Sequence, residues 1–218
     1  MKFKRSTIVA MIILGLIPMI IAAVLYPSLP AQIITNWGFD GEVAYSPKSE
    51  IWIIMGISFA LVPLFVIIPK IDPKKKNYAR FSSIYETFCI IMMLFMAVIN
   101  CTILLEAMRP GSVSVSKIVP FMVGLLFIYL GNIMPKIKHN YTFGIKTPWA
   151  LADPEVWSKS NRLAGFISFV GGIVITVSAL FVPEKPLFII LMVFVFAFVI
   201  IPTAMSYVWF TKKQTDEE

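Results

Sequence analysis

The chain has 218 residues, of which 58% are hydrophobic and 14% are charged. Soluble domains are about half apolar and about a quarter charged, so this composition excludes an ordinary soluble protein and predicts an integral membrane protein. The formal net charge is +7, which in a soluble protein would suggest a nucleic-acid partner.

Six apolar runs are long enough to cross a bilayer, which requires about 20 helical residues. The first run follows a basic N-terminus, as in a signal peptide, but it is long for one and no cleavage motif follows it. We therefore expect an all-α fold with six transmembrane helices. The predicted spans are residues 6–26, 51–69, 81–105, 118–135, 163–182 and 186–210.

Positive charge is unevenly divided between alternate loops. Fifteen of the nineteen Lys and Arg fall before the first span or after the second, fourth and sixth. Cytoplasmic loops carry such an excess, so we predict that both termini are cytoplasmic. This asymmetry and attraction to anionic headgroups account for the net charge, and we expect no direct nucleic-acid partner.

Two connections are long. Residues 27–50 form the predicted outer loop, whose Pro and Gly residues indicate an ordered chain of turns. Its aromatic residues are also typical of a belt at the headgroups. Residues 131–165 form a patterned cytoplasmic connection. We expect a two-helix N-terminal region at 1–80 and a four-helix region at 81–218. The short basic turn at 69–80 is interpreted as a topology anchor, with a docking face for an acidic partner as the alternative.

Two polar side chains, Glu86 and Asn100, fall inside the third span. An ionisable group within a span is by default a functional hypothesis. However, Glu86 is only five positions after Phe81, so it is equally well placed at the inner interface, where Arg80 would neutralise it.

The connection at 131–165 is dense in turn residues. Pro135 ends the fourth span, and Asn140 and Gly144 are expected to allow turns with positive φ. The residue before Pro148 is expected to be extended. Asp153, followed by a proline, predicts the start of a helix that is either short or continuous with the fifth span.

The same connection contains aromatic and basic side chains. Trp149 and Trp157 are expected at the membrane interface. Lys146 and Arg162 are placed for headgroup phosphates or for nearby acids. His139, the only histidine, is expected on the surface. One histidine and two distant cysteines predict no metal site of the usual kind and no cofactor.

The amino-acid sequence of this connection resembles a known family signature. Residues 131–149 read GNIMPKIKHNYTFGIKTPW and residues 157–165 read WSKSNRLAG. They resemble the signature of the SdpI/YfhL family of bacterial membrane proteins. The outer segment LPAQIITNWGFDGEVAYSPK resembles the N-terminal domain of unknown function that occurs in the same proteins.

The resemblance implies a multi-pass protein of the bacterial cell membrane that protects the cell against a secreted small hydrophobic toxin peptide. It also implies a signal receptor that holds a small cytoplasmic helix-turn-helix repressor at the membrane. Toxin sensing is expected in the outer loop, at Asn36, Trp37, Gly41 and Lys48. The signature and partner-binding positions are Asn132, Pro135, Asn140, Gly144, Lys146, Thr147, Pro148, Trp149, Trp157 and Arg162.

The chain departs from the family pattern at three places. Asn36 stands where the family usually has His, and Ser160 and Asn161 stand where it usually has Thr-His. An amide keeps hydrogen bonding but loses titration. Lys146 replaces an arginine and so loses a bidentate donor fork.

Two alternatives come from other functional classes. One is a membrane enzyme or lipid-handling protein that acts on phosphorylated lipid at the inner leaflet; the other is a small transporter. No nucleophile constellation supports the enzyme, and no inverted repeat supports the transporter. We therefore expect no enzymatic activity. The residues that would converge in the lipid-handling protein are Glu86, Asn132, Lys146, Asp153 and Arg162.

Overall fold

The described residues form seven α-helices, four short 3₁₀ segments and one β-hairpin. The computed structural model describes residues 1–38 and 42–217. The helices are α1 (Arg5–Leu25), α2 (Ile51–Ile71), α3 (Ser82–Met108), α4 (Val115–Ile133), α5 (Pro148–Ala152), α6 (Pro154–Phe181) and α7 (Glu184–Glu217), and the strands are β1 (Gln32–Trp37) and β2 (Val43–Pro47).

All helices except α5 are long and apolar enough to cross a membrane, which confirms the six predicted spans among the described residues. Hydrocarbon cannot hydrogen-bond to the backbone, so long apolar runs pair their own peptide groups as helices. The predicted helix at 154–162 is continuous with the fifth span: α6 is one helix of 28 residues.

The spans pack as two groups of three. Helices α1, α2 and α3 contact one another, α4 and α7 both pack on α6, and α3 contacts α4. The α4–α6 contact is the most extensive of all. A Cβ added at Gly131 would lie 2.6 Å from the backbone nitrogen of Phe169, and one added at Gly165 would lie 2.9 Å from the carbonyl oxygen of Gly131. The two backbones therefore touch, as small residues permit in lipid.

The outer segment differs from the expected chain of turns. Strands β1 and β2 pair antiparallel, with Gln32 opposite Pro47 and an irregularity between Ile34 and Asn36. The reason is local, because both strands are rich in β-branched and aromatic residues. Ile33 is buried in an apolar cluster with Ile51 and Leu104, so the hairpin is packed against the ends of α1, α2 and α3.

The connections lie at two ends of the bundle. We call one the hairpin end; it carries β1, β2 and the turns before α4 and α7. The other is the signature end, where the segments before α3 and before α6 meet the last turns of α7. A second apolar cluster, which includes Phe65, Tyr85 and Trp157, lies toward the signature end.

Candidate functional site

A buried carboxylate organises the signature end. Asp72 follows α2 and is 3% exposed. Its Oδ2 accepts hydrogen bonds from the Tyr141 backbone nitrogen at 3.0 Å, the Thr142 hydroxyl at 2.7 Å and the Tyr78 hydroxyl at 3.2 Å. Its Oδ1 accepts from the Lys74 backbone nitrogen at 2.7 Å. The basic turn at 69–80 therefore holds the connection between α4 and α5 in place, which is more than the topology anchor predicted from the sequence.

Asn140 shapes the same connection from within. It is fully buried, and its Oδ1 accepts from the backbone nitrogens of Thr142 at 2.9 Å and Phe143 at 2.6 Å. Its Nδ2 donates to the carbonyls of Lys138 and Phe143. No non-glycine residue in the described ranges has a positive φ, so the expectation of positive φ at Asn140 is wrong. The side chain makes the turn by bonding to its own backbone, as Asn often does.

Gly144 does adopt the expected conformation, with φ of 116°. A Cβ at this position would collide with Oδ1 of Asn161 and lie 3.1 Å from the Trp157 ring. Asn161 is 1% exposed; it accepts from the Ile145 nitrogen at 3.1 Å and donates to the Trp157 carbonyl at 2.9 Å. The amide that departs from the family pattern is therefore a positioning residue that fixes the backbone after Gly144.

Two caps join this region to α7. Thr147 is extended, as predicted for the residue before Pro148, and its hydroxyl accepts from the Ala150 nitrogen and lies 2.8 Å from the Ser206 hydroxyl. Asp153 caps α6, as predicted, and its second oxygen accepts from Lys213 Nζ at 2.7 Å. This ion pair is the main reason that the pKa of Asp153 lies below its ordinary value.

The two tryptophans have different roles. Trp149 is half-buried and packs edge-on against Tyr207 of α7, with 5.1 Å between ring centroids. Trp157 is 2% exposed, so it lies in the core of the signature end and not at an interface. His139 is half-buried and stacks on Trp157 at 4.9 Å. Burial and the adjacent Lys74 ammonium lower the pKa of His139.

The remaining signature residues lie on the surface. Asn132 donates to the Ile128 carbonyl of its own helix, and Lys146 and Arg162 are exposed. Pro135 and Pro148 are also exposed, at the ends of helical segments. The buried signature residues thus build the loop, whereas the exposed ones face solvent or lipid.

The polar residues of the third span have helix partners. Glu86 is 6% exposed and accepts a hydrogen bond of 2.5 Å from the Thr7 hydroxyl of α1. This is a different partner from Arg80, which one of the two alternatives proposed. Asn100 donates to the Ser58 hydroxyl of α2 at 2.9 Å. Both residues tie α3 to its neighbours. Asn132 hydrogen-bonds to its own helix and Asp153 pairs with Lys213, whereas Lys146 and Arg162 are exposed. The five groups considered for lipid chemistry, including Glu86, therefore have separate partners or lie exposed.

Lys48 closes the base of the hairpin. Its ammonium donates to the carbonyls of Tyr26 at 3.2 Å and Leu29 at 3.3 Å, and lies 4.8 Å from the centroid of the Tyr26 ring. Both carbonyls lie just after the C-terminal end of α1, where a cation interacts favourably with the helix dipole. Lys48 therefore joins the end of β2 to the end of α1, and toxin sensing by this residue stays a prediction. Gly41 lies outside the described residues.

A cleft opens at the hairpin end, between the tip of β1 and the first turns of α4 and α7. We call it the hairpin-end cleft. It contains two adjoining cavities of about 310 Å³ and about 290 Å³ that share Trp37, Gly38, Val115, Ser116 and Glu184. The larger cavity is mostly apolar, and of the predicted sensing residues it contains Asn36 and Trp37. Its lining is Thr35, Asn36, Trp37, Gly38, Val115, Ser116, Val119, Pro120, Glu184, Phe188 and Leu191.

Two glutamates shape the polar side of this cleft. Glu106, 4% exposed, accepts from the Gly111 nitrogen at 2.6 Å and from the Val113 nitrogen at 3.4 Å, which holds the turn between α3 and α4. Glu184 accepts from the Ser114 hydroxyl at 2.9 Å. Apolar walls with a few placed polar groups are the usual character of a ligand site.

Several of these residues were not singled out from the sequence. Asp72 is the one acid in a run of lysines directly before a proline, a position that favours a side-chain-capped turn; this signal was available. Val119, Phe188 and Leu191 carry no signal, because within an apolar span a cleft residue looks the same as a lipid-facing one.

The fold and the two ends define a multi-pass protein of the cell membrane with a patterned polar connection at one end and an apolar cleft at the other. The sequence model of the SdpI/YfhL protein family matches residues 136–206, and that of a domain of unknown function, DUF1648, matches residues 13–59. The chain therefore resembles SdpI/YfhL proteins over residues 136–206 and DUF1648 proteins over residues 13–59.

One curated relative extends the match along nearly the whole chain. Over 216 residues the chain is 27% identical to Immunity protein SdpI of Bacillus subtilis strain 168, covering 95% of this chain and 97% of the relative. No solved structure shows a significant match.

Proposed function

We propose that this protein is a non-enzymatic membrane immunity protein and that the hairpin-end cleft is where it engages a small hydrophobic toxin peptide. The observation that carries the proposal is the position of Trp37: a half-buried indole on the hairpin forms one wall of an apolar cleft whose other walls are Val119 of α4 and Leu191 of α7. A full-length relative named as an immunity protein supports it.

The proposal includes the orientation of the chain. The positive-inside asymmetry favours a cytoplasmic signature end, so the hairpin end faces outward, where a secreted peptide arrives. An apolar peptide that partitions into the outer leaflet would reach the cleft from the bilayer, because α4 and α7 form two of its walls. Aromatic and aliphatic walls provide the apolar contact that such a peptide needs.

The test is survival of a toxin-sensitive strain that expresses this protein. The challenge is a panel of secreted small hydrophobic peptides, beginning with the one against which the Bacillus subtilis relative confers immunity. Wild type is expected to protect against at least one. Trp37→Ala, which opens the cleft, and Val119→Trp, which fills it, are expected to lose protection at unchanged membrane abundance.

Matched controls keep the test specific. Tyr45 is an exposed aromatic on β2 and Val193 is an exposed aliphatic on α7, and neither lines the cleft. Tyr45→Ala and Val193→Trp are expected to protect as wild type does. Absence of protection by wild type against every peptide would refute the immunity role, whereas equal losses in the controls would refute the cleft as its site.

We also propose, on the family resemblance, that the signature end holds a small cytoplasmic repressor. Its exposed cations Lys146 and Arg162 are available to a soluble partner. The double variant Lys146→Gln/Arg162→Gln is expected to abolish toxin-dependent induction of a repressor-controlled reporter while survival is kept. Full induction in this variant would exclude these two residues as the contact.

A further inference from the structure

The signature end contains a cavity that is separate from the hairpin-end cleft, and the proposed immunity role does not use it. It has a volume of about 460 Å³ and lies between the segment before α3, the segment after α4 and the start of α6. Lys74, Arg80 and Lys138 line it together with Asn77, His139 and Trp157. We call it the basic pocket.

The charges of the basic pocket are not balanced by the protein. Its lining includes three cations and no carboxylate. Arg80 and Lys138 are exposed, and neither forms an ion pair within residues 1–38 and 42–217. Asp72 is nearby, but its oxygens accept from Tyr141, Thr142, Tyr78 and the Lys74 backbone. Like charges gathered around one cavity repel each other, and an anion in the cavity would relieve that repulsion.

The geometry of the walls suits a phosphate group. An arginine fork forms two parallel hydrogen bonds to phosphate oxygens, and lysines add point charges. The Lys74 ammonium is held in place, 2.9 Å from His139 Nδ1 and 5.6 Å from the centroid of the Tyr141 ring. His139 is in turn stacked on the buried Trp157. The Lys74 ammonium is therefore fixed against the aromatic rings of His139 and Tyr141. Arg80 and Lys138 are exposed at the lining of the same pocket.

We propose that the basic pocket is a binding site for a phosphate-bearing anion, in which Arg80, Lys138 and Lys74 contact the phosphate oxygens. Two sources share this chemistry: the headgroup of an anionic phospholipid in the adjoining leaflet, and a phosphate in solution. The site shares no lining residue with the cleft at the opposite end of the bundle.

His139 reports occupancy of the pocket. It is the only histidine of the chain, so in protein selectively labelled with ¹⁵N-histidine and purified with a histidine-free tag, its ring signals are identified by NMR without assignment. The charged groups that act on its pKa are Lys74, Asp153 and Asp72, and a hydrogen bond with the Leu151 backbone acts on it as well. Bound phosphate adds negative charge beside the ring, so the pKa of His139 is expected to rise on binding.

The experiment compares nanodiscs of phosphatidylcholine, nanodiscs containing phosphatidylglycerol, and phosphatidylcholine nanodiscs titrated with inorganic phosphate. A raised His139 pKa only with phosphatidylglycerol identifies a lipid headgroup. A rise with inorganic phosphate in phosphatidylcholine identifies a soluble phosphate. An unchanged pKa in both arms overturns the proposal.

A matched pair of variants separates a site from general attraction to the membrane. Arg80→Gln/Lys138→Gln removes two lining cations and is expected to weaken binding about tenfold, which corresponds to about 1.4 kcal/mol. Lys75→Gln/Lys136→Gln removes the same charge from exposed positions outside the pocket. It is expected to change binding by about twofold or less, as for screened surface charge. Equal weakening in both variants would show diffuse attraction only and would also overturn the proposal.

Discussion

The carboxylate of Asp72 and the hydroxyl of Thr142, 70 positions apart in the chain, lie 2.7 Å apart and join the segment after α2 to the segment after α4. Without that carboxylate, the part-buried Thr142 hydroxyl and Tyr141 N–H would lose their acceptor, and the buried Tyr78 hydroxyl would lose one of its two. Each unpaired buried donor costs about 1–3 kcal/mol. Asp72→Ala is therefore expected to lower the free energy of unfolding by about 2–4 kcal/mol, measured by equilibrium denaturation in mixed micelles.

The control for this change is Asp216→Ala, which removes an exposed carboxylate of α7 near the same end. Exposed substitutions usually change stability by about 0.5 kcal/mol or less. Similar losses in the two variants would contradict the assigned role of Asp72.

A methyl group at Gly131 tests the contact between α4 and α6. Its Cβ would lie 2.6 Å from the Phe169 nitrogen and 2.7 Å from the Gly165 carbonyl, so the helices would have to separate. Gly131→Ala is expected to cost about 1–3 kcal/mol. Gly56→Ala in α2, where nothing lies within 4 Å of the added Cβ, is expected to be neutral or stabilising by up to about 1 kcal/mol. Thermal unfolding in a single detergent measures both, and a Gly131→Ala protein as stable as wild type would argue against the close contact.

Two glycines with positive φ allow the cost of backbone strain to be measured apart from the cost of a steric clash by an added Cβ. Gly111, with φ of 79°, has open space around its Cβ position, whereas Gly144, with φ of 116°, faces Asn161 and Trp157. An alanine in a left-handed conformation costs about 1–2 kcal/mol, and overpacking adds about 1–3 kcal/mol. We expect Gly111→Ala to lose only the first amount and Gly144→Ala to lose both, as measured by denaturation. Equal losses would mean that the Asn161 contact is not restrictive.

The pKa of His139 predicts a pH dependence of stability. Burial, followed by the charge of Lys74, lowers this pKa in the folded state from its ordinary value of 6.5. Between the two values the unfolded chain binds more protons than the folded chain. The free energy of unfolding should therefore fall as the pH drops through 6.5 and stop falling below the folded-state pKa.

His139→Gln provides the comparison for this pH prediction. Measured in a neutral detergent without phosphate, its stability should lack the decline that wild type shows in that window. A wild-type stability that rises as the pH is lowered, or an identical profile in the variant, would contradict the prediction.

The spans were predictable from the sequence because hydrocarbon imposes one solution on long apolar runs. The caps at Thr147 and Asp153 were predictable because proline fixes the residues beside it. The hairpin departs from the expected chain of turns because the β-branched run in Gln32–Trp37 favours a strand despite the prolines and glycines around it. Trp157 departs from the interfacial position that is usual for aromatic residues near span ends. Its burial depends on the long-range contacts of Asp72 and Asn140, which no local pattern contains.

The backbone contact between α4 and α6 has a mechanical consequence. At four glycines an added Cβ would lie less than 3 Å from backbone atoms of the facing helix, at Gly124 and Gly131 of α4 and at Gly165 and Gly172 of α6. Helices α4 and α6 therefore have little freedom to slide past each other, and they should tilt together as one rigid body. The first turn of α4 forms a wall of the hairpin-end cleft, and the first turn of α6 carries Trp157 at the opposite end. A movement of Val115 and Val119 would thus displace the wall on which His139 stacks.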